Sequence, residues 1–422
     1  MVTQWARTAF LTGLGGMKGG TLTVECPDRT YTFGDDGGMD ATLTIRDERF
    51  FLRALTGSDI GIGESFMDGD WTTPDLVTLV RLMLRSRRVL DRQSRFAGAL
   101  HRVAGGIARR LRDNSLAGSR RHIQRHYDLG NEFFRLFLDR ELRMYSCGYF
   151  ESAADPLEQA QARKVDRICQ ALRLSPSDHV LEIGSGWGGF AVWASTHYGC
   201  RVTTTTISDE QYRDVREWRL RIGEAGARID VLRADYRELT GRFDKVVSIE
   251  MFEAVGLNHY DDYFKAVDRL LAPDGVMLLQ TITVDDQWFP KYHGTPDWIE
   301  KYIFPGGELA SVGEILKSLA RTTTLSMYHA ENFGTHYART LQAWRARFHR
   351  NLGRVRGLGY DERFIRMWDL YLASCEATFL ERHTGLFQLM LVKNGAQRLL
   401  FNEPWSGTAT RPRAAAASES AA

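Results

Sequence analysis

Residues 180–189 read Val-Leu-Glu-Ile-Gly-Ser-Gly-Trp-Gly-Gly, and this stretch decides the fold. Val180, Leu181 and Ile183 form a short apolar run suited to a buried parallel strand, and a helical pattern begins at Phe190, directly after the glycines. A strand, a glycine turn and a helix in this order bring backbone N–H groups and a helix N-terminus close to a nucleotide-like ligand. The alternative is a turn that only packs a helix against a strand.

Two nucleotide-like ligands compete for this turn. Gly184, Gly186 and Gly189 have the GxGxxG spacing of dinucleotide-binding folds, although a lone match to that pattern is weak. NAD enzymes place an acidic residue at the end of the next strand, about 20 residues on, whereas the strand at 200–206 ends in hydroxyl side chains. Glu182 precedes the first glycine and suits the cationic methionine end of S-adenosylmethionine (SAM). The sequence therefore favours SAM over NAD.

The composition of the chain indicates a globular protein of two or three domains, because it has 422 residues of which 43% are hydrophobic. No apolar run approaches the roughly 20 residues that span a bilayer. The stretch Trp5 to Met17 lacks the cationic start and the cleavage site of a leader peptide, so we expect a cytoplasmic protein. The five cysteines show neither a disulfide framework nor metal-ligand spacing, so we expect no metal site.

The order of apolar patterns predicts the domain organisation. Residues 1–84 indicate a small α+β unit, with an ordered loop that packs its aromatic residues at Gly61 to Trp71. Within 126–400, strands and helices alternate, which predicts a doubly wound, mostly parallel α/β sheet. The tail at 405–422 collapses to small and polar residues, and we expect it to be disordered.

The segment 85–125 joins the two units and carries twelve Arg against two acidic residues, Asp91 and Asp113. Leu, Val, Ile and Phe lie between the arginines. A solvated linker and a membrane-facing helix both fit this pattern. Nucleic acid is another partner for such a charge run. The aromatic and small polar residues that follow at 126–150 indicate a lid over the ligand.

Polar residues follow the strands of the predicted sheet. They lie at Thr206 to Gln211, Asp235 to Tyr236, Glu250 to Glu253 and Gln280 to Thr283. The carboxyl ends of parallel strands meet at one edge of a sheet, and ligands bind there. Glu253 follows one apolar strand closely and is a candidate general base, beside Gln280 and Ile282 at the next strand end.

Five segments of the sequence together resemble the cyclopropane-fatty-acyl-phospholipid synthases. They are His126 to Gly130, Tyr145 to Gly148, Leu181 to Gly189, Met251 to Gly256 and Tyr302 to Gly307. The likeness runs from about residue 40 to Lys393. It implies an N-terminal lipid-binding domain and a catalytic domain with a seven-stranded sheet of the methyltransferase type. That catalytic domain would add the SAM methyl carbon across a cis double bond in a membrane phospholipid's acyl chain.

The resemblance also implies a set of site residues. With Glu182, the SAM contacts would be Tyr145, Ser146, Gly184, Gly186, Thr206, Gln211, Asp235 and Tyr236. The family holds a bicarbonate ion as a base, and its cage maps onto Cys147, Glu253, Ile282 and Tyr337, with Gln280 where the best-known bacterial members have His.

Gln280 and Ala254 are more similar to the plant enzymes and to the actinobacterial enzymes that make methylene-branched chains. The expected product is a cyclopropane, with a methylene branch as the alternative. A non-catalytic lipid-binding protein is a second alternative, which the intact glycine turn and Glu253 oppose. The expected partners are unsaturated phospholipids in an anionic membrane surface, with the protein peripheral to the inner face of the cytoplasmic membrane. Nucleic acid is not expected, and a homodimer stays open.

Overall fold

Two β-sheets organise the chain in the computed structural model, which describes residues 2–93, 129–293 and 297–393. The smaller sheet contains β1 to β4, at Thr21–Glu25, Thr30–Gly34, Asp40–Ile45 and Trp71–Thr72. The larger sheet contains β5 to β11, at His179–Ile183, Arg201–Thr206, Ile229–Arg233, Phe243–Ile249, Leu271–Val284, Leu325–Asn332 and Thr384–Lys393. Within these ranges the larger sheet has seven strands.

The larger sheet has the order β10-β11-β9-β8-β5-β6-β7. Neighbouring strands from β9 to β7 pair in parallel, and β11 lies antiparallel between β9 and β10. The fold-class prediction of a doubly wound, mostly parallel sheet is therefore confirmed. Because β5 and β8 end at the same edge, the glycine turn after β5 lies beside the residues that follow β8.

Helices cover both faces of this sheet, which is why a central strand such as β5 is buried on both sides. Val180 packs on one face with the helix Leu157–Ala171, and Leu181 packs on the other face with Tyr260–Leu270. The remaining helices are Val2–Leu14, Arg49–Met67, Leu76–Gln93, Asn131–Arg135, Gly189–His197, Asp209–Arg221, Glu224–Ala227, Phe289–Tyr292, Trp298–Tyr302, Val312–Thr322, Gly334–Arg350, Leu352–Gly357 and Glu362–Leu380. None of the helices in the described ranges has the length and apolarity needed to cross a membrane.

The loop predicted at Gly61 to Trp71 is wrong, because the helix Arg49–Met67 continues through most of it. The helix is kinked at Ser58, whose φ is 51°. After the kink the glycines serve close packing: a Cβ at Gly61 would lie 2.0 Å from the Arg53 carbonyl oxygen, and one at Gly63 would lie 2.3 Å from the Trp298 ring. Glycine costs helix propensity, but here it permits contacts that a side chain would prevent.

Replacing Gly63 by Ala tests this contact. We expect overpacking against Trp298 to lower the free energy of unfolding by about 1–3 kcal/mol. Gly57→Ala in the same helix is the matched control, because its Cβ would meet no atom within 4 Å and Ala favours the helix. Thermal unfolding followed by circular dichroism measures both. Equal midpoints for Gly63→Ala and wild type would contradict the tight packing.

The predicted N-terminal unit at 1–84 has its own sheet but shares one apolar core with the C-terminal helices. Phe50 and Leu79 belong to the same cluster of buried residues as Trp368 and Tyr371. Arg81 and Arg85 both form ion pairs with Glu381, at 2.7 Å each. These contacts join the small unit to the larger one along the helix Glu362–Leu380.

Three of the sequence-based expectations fall outside the described residues. They are most of the Arg-rich segment 85–125, the start of the predicted lid at His126, and the tail at 405–422. The first residues of the Arg-rich segment belong to the helix Leu76–Gln93.

Candidate active site

A cavity of about 460 Å³ opens at the carboxyl edge of the larger sheet. It lies beside the ends of the central parallel strands, as the topology requires. All nine residues predicted to contact SAM line it: Tyr145, Ser146, Glu182, Gly184, Gly186, Thr206, Gln211, Asp235 and Tyr236. The structure thus brings together side chains that are spread over 92 positions of the sequence. Their contact with SAM stays a prediction.

The glycine turn shapes one end of the cavity. Gly184 and Gly186 have φ values of 95° and 49°, in the left-handed region that favours glycine. The N–H groups of Gly184 and Ser185 both donate to the Thr205 carbonyl, at 3.0 and 2.9 Å, and so tie the turn to β6. A Cβ at Gly184 would lie 2.9 Å from the Met251 side chain. Glycine is therefore required at position 184 both for the positive φ and for the close packing against Met251.

Glu182 lies beside the turn and is buried. The Thr204 hydroxyl donates to its Oε2 at 2.6 Å. Burial raises the pKa of Glu182 to about 8, because desolvation disfavours the charged carboxylate. A cationic ligand group in this cavity would reverse that preference.

The predicted ribose and adenine residues are held in place by contacts within the protein. The Thr206 hydroxyl donates to the Gln211 side-chain oxygen at 2.8 Å. The Asp235 carboxylate accepts hydrogen bonds from the backbone and the guanidinium of Arg237. Tyr236 lies edge-to-face against Tyr263, with ring centroids 5.1 Å apart. This wall of the cavity is therefore ordered by its own contacts.

Tyr145 and Ser146 line the cavity from the segment before β5. The Tyr145 and Tyr371 hydroxyls lie 2.9 Å apart, and the Ser146 hydroxyl accepts from the Lys164 ammonium at 2.8 Å. The sequence reasoning missed Lys164, which is fully buried and whose pKa burial lowers to about 8. A signal was present, because Lys164 falls on the apolar stripe of its helix with Ile168.

The predicted bicarbonate cage contains a carboxylate of the chain itself. Glu250 Oε1 accepts hydrogen bonds from the Cys147 backbone N–H at 3.0 Å and from the Gln280 amide at 2.7 Å. Glu250 Oε2 accepts from the Tyr337 hydroxyl at 2.6 Å. The three donors expected to hold an ion therefore bind Glu250.

Glu253 lies beside Ile282 at the end of β9, as the sequence predicts, and its role stays a prediction. Its Oε1 accepts from the Ile282 backbone N–H at 2.6 Å and from the Thr281 hydroxyl at 3.2 Å. Its Oε2 is buried without a hydrogen-bond partner among the described residues. Burial, with a smaller contribution from the charge of Glu250, raises the pKa of Glu253 to about 8, so this carboxyl is mostly neutral at pH 7.

The cage does not fit bicarbonate as the resemblance implied. Cys147, Gln280 and Tyr337 donate to Glu250, and Ile282 donates to Glu253. A bicarbonate ion placed in this cage would find these hydrogen-bond donors already occupied. It would also lie against the negatively charged form of the Glu250 carboxyl. Cys147 contributes its backbone N–H to this cage. Its thiol is buried, and desolvation raises the pKa of that thiol well above the usual value.

From the sequence, Glu250 is one of several polar residues that follow a strand, and no role is predicted for it. It directly follows β8 and has a φ of 50°, a conformation that is uncommon for a residue other than glycine. Its N–H donates to the Gln280 carbonyl at 2.8 Å. This backbone conformation cannot be recognised from sequence.

The rest of the cavity is mainly apolar. Ile299, Phe304, Leu341, Phe379 and Cys375 line it. Phe304 packs edge-to-face on Tyr371 with ring centroids 5.8 Å apart, and Phe379 stacks on Tyr337 at 4.6 Å. Glu250, Glu253, Ile282 and Tyr337 lie on the same cavity surface, whereas Cys147 and Gln280 lie behind it. The cavity thus joins a polar end at the glycine turn to an apolar end.

Comparisons with known proteins agree with this geometry. The family model described as "Mycolic acid cyclopropane synthetase" matches residues 114–389. The tuberculostearic acid methyltransferase UfaA1 of Mycobacterium tuberculosis is 37% identical over 381 residues, covering 89% of this chain and 88% of that protein. The cyclopropane-fatty-acyl-phospholipid synthase of Escherichia coli K12 is 38% identical over 363 residues, covering 85% of this chain and 91% of that protein.

A solved structure shares the fold of the larger unit. The mycolic acid cyclopropane synthase CmaA1 complexed with SAH and CTAB has 32% sequence identity and a TM-score of 0.60. The match covers 65% of this chain and 98% of that one.

Proposed function

Because the chain belongs to the mycolic acid cyclopropane synthetase family and is a SAM-dependent methyltransferase of the cyclopropane synthase type, we propose that it modifies membrane phospholipids. In this proposal the acceptor is a cis double bond in an unsaturated acyl chain, and the product is a cyclopropane ring. The observation that carries the proposal is the single cavity that joins the glycine turn to an apolar end.

The apolar end suits an acyl chain. Leu341 and Phe379 offer apolar surface, and burial of each CH₂ group there would contribute about 0.8 kcal/mol. The phospholipid as the carrier of that chain is supported by the likeness to the E. coli synthase over 85% of this chain, a match that extends into the N-terminal unit.

The residues of the site suit an alkylation of an alkene. SAM, when bound, supplies an electrophilic methyl group. An alkene is a weak nucleophile, so the protein must hold it in line and keep water away. The rings of Tyr145, Phe304 and Tyr337 line the cavity, and a ring face stabilises a nearby cation by roughly 0.5–2 kcal/mol.

We also propose that the protein binds the surface of anionic membranes through the Arg-rich segment 85–125. This proposal rests on the composition of the segment, twelve Arg against two acids. Each Arg near an anionic surface contributes about 1 kcal/mol, and salt weakens the attraction. Co-sedimentation with anionic and neutral vesicles at low and high salt measures it. Equal binding to both vesicle types would contradict it.

The function is tested with purified protein, methyl-labelled SAM and vesicles of an unsaturated phospholipid. We expect label in the lipid and high-field cyclopropane protons in its NMR spectrum. Vinylic protons on a branch carbon would contradict ring closure and indicate a methylene product. Lipid without label would exclude the reaction and leave a non-catalytic lipid-binding protein.

A further inference from the structure

The donors of the predicted bicarbonate cage surround a carboxylate of the protein, and we propose that Glu250 is the general base of the reaction, in place of a bound anion. The inference rests on the proposed function and concerns the same site. A carboxylate and bicarbonate share a planar O–C–O group with acceptor oxygens. Glu250 therefore presents the shape and charge of the ion to Cys147, Gln280 and Tyr337.

One oxygen of Glu250 remains available for a proton. Oε1 accepts two hydrogen bonds, from Cys147 and Gln280, whereas Oε2 accepts one, from Tyr337. A carboxylate oxygen can accept at two lone-pair sites. Since Glu250 lines the cavity with Ile282 and Phe304, its Oε2 is the acceptor that the cavity offers to a bound acyl chain.

The two carboxyl groups at this point have different roles. Glu250 accepts three hydrogen bonds, which favour its charged form, whereas Glu253 has an unpartnered oxygen and a pKa that burial raises to about 8. Two neighbouring carboxyls in a buried site share one charge in this way. The buried Lys164 adds an attraction that favours the charged form of Glu250.

Burial also makes Glu250 a stronger base than a carboxylate in water. Desolvation raises its pKa above the usual value, and the hydrogen bonds from Tyr337, Cys147 and Gln280 offset this only in part. A base with a pKa closer to neutrality removes a proton more readily at pH 7. The pKa of Tyr337 is raised well above its usual value by burial, so its hydroxyl stays a donor throughout.

The proposed reaction forms the two new carbon–carbon bonds one after the other. The π electrons of the alkene form a bond to the methyl carbon while the carbon–sulfur bond breaks and its electrons leave with sulfur. Glu250 Oε2 then takes one proton from the transferred carbon, and the C–H electron pair forms the second bond to the acyl chain. Glu250 becomes a neutral carboxylic acid and loses its proton to solvent before the next turnover.

The test compares two matched amide substitutions. Glu250→Gln keeps the size and hydrogen-bonding shape but cannot take a proton, so we expect turnover to fall about 10²–10⁴-fold. Glu376→Gln is the matched control, because Glu376 is also a buried carboxyl but does not line the cavity, so we expect its turnover to stay near that of wild type. Calorimetric titration with SAM, expected to be unchanged in both variants, verifies that each is folded. Near wild-type turnover of Glu250→Gln would overturn the proposal.

A second arm uses bicarbonate itself. Wild-type turnover is expected to be the same in bicarbonate-depleted and supplemented buffer, because Glu250 occupies the cage. Glu250→Gly suits the backbone φ of 50° and empties the cage, so its lost activity is expected to return in part with added bicarbonate. Glu250→Gln should show no such rescue, because its side chain still fills the site.

The outcomes also separate this inference from the proposed function. Wild-type protein that labels no phospholipid would refute the function itself. Wild-type protein that labels phospholipid only when bicarbonate is supplied would refute the role of Glu250 alone.

Discussion

Replacing Gly186 by Asn is expected to weaken SAM binding at least about 100-fold, equivalent to roughly 2.7 kcal/mol, while the fold is retained. Gly186 lines the cavity at the turn, with a φ of 49°. Asn tolerates this left-handed conformation better than other residues with a side chain. A Cβ there would meet no protein atom within 4 Å, so the side chain extends into open space that a ligand at the glycine turn needs.

The matched control for this substitution is Gly241→Asn. Gly241 also has a positive φ, 95°, and a Cβ there would also meet no atom within 4 Å, but it does not line the cavity. Both variants place a side chain at a positive φ in open space, so their melting temperatures report the backbone cost separately from ligand binding. Calorimetric titration with SAM then separates them. Equal SAM affinity of Gly186→Asn and wild type would show that the ligand does not lie at this turn.

SAM affinity is expected to rise with pH, by up to tenfold per unit between about pH 6 and 8, as expected when binding releases one proton. Burial raises the pKa of Glu182 to about 8 in the free protein, so this carboxyl is mostly protonated at pH 7. The sulfonium charge of SAM favours the carboxylate and lowers that pKa in the complex. Binding therefore releases a proton, and the affinity stops rising above pH 8.

Glu182→Gln isolates this effect from the other groups that titrate nearby. Lys164 and Glu253 also have pKa values of about 8, and both are retained in the variant. We expect its SAM affinity to vary much less with pH than that of wild type. Calorimetry in two buffers of different ionisation enthalpy counts the released protons directly. Proton release that persists unchanged in Glu182→Gln would assign it to Lys164 or Glu253.

The same raised pKa makes a prediction for stability without ligand. A carboxyl whose pKa is higher in the folded state than in the unfolded state stabilises the fold at low pH, and this contribution is lost as the pH rises through the folded value. For Glu182 the loss extends from about pH 4.5 to pH 8. Thermal unfolding of Glu182→Gln should therefore depend less on pH in this window than that of wild type.

Local sequence patterns predicted the larger sheet well. The apolar run Val180 to Ile183 forms β5, and the glycines after it adopt the expected turn. Helix and strand alternation beyond it holds because the central strands of the sheet are covered on both faces. Where the pattern failed, at Gly61 to Trp71, the glycines are required for packing against Arg53 and Trp298, partners that the local sequence does not reveal.

The sequence by itself determined the fold class, the cofactor class and the position of the site at the carboxyl edge of the sheet. These depend on the periodicity of apolar residues and on glycines at fixed spacing, which are local properties. The tertiary structure alone decided which glutamate receives the hydrogen bonds of Cys147, Gln280 and Tyr337. Glu250 and Glu253 are three residues apart after the same strand, and this spacing does not reveal which of them meets the three donors. The orientation of Glu250 depends on its positive φ and on the hydrogen bond from its N–H to the Gln280 carbonyl. That hydrogen bond forms only when β8 and β9 are paired.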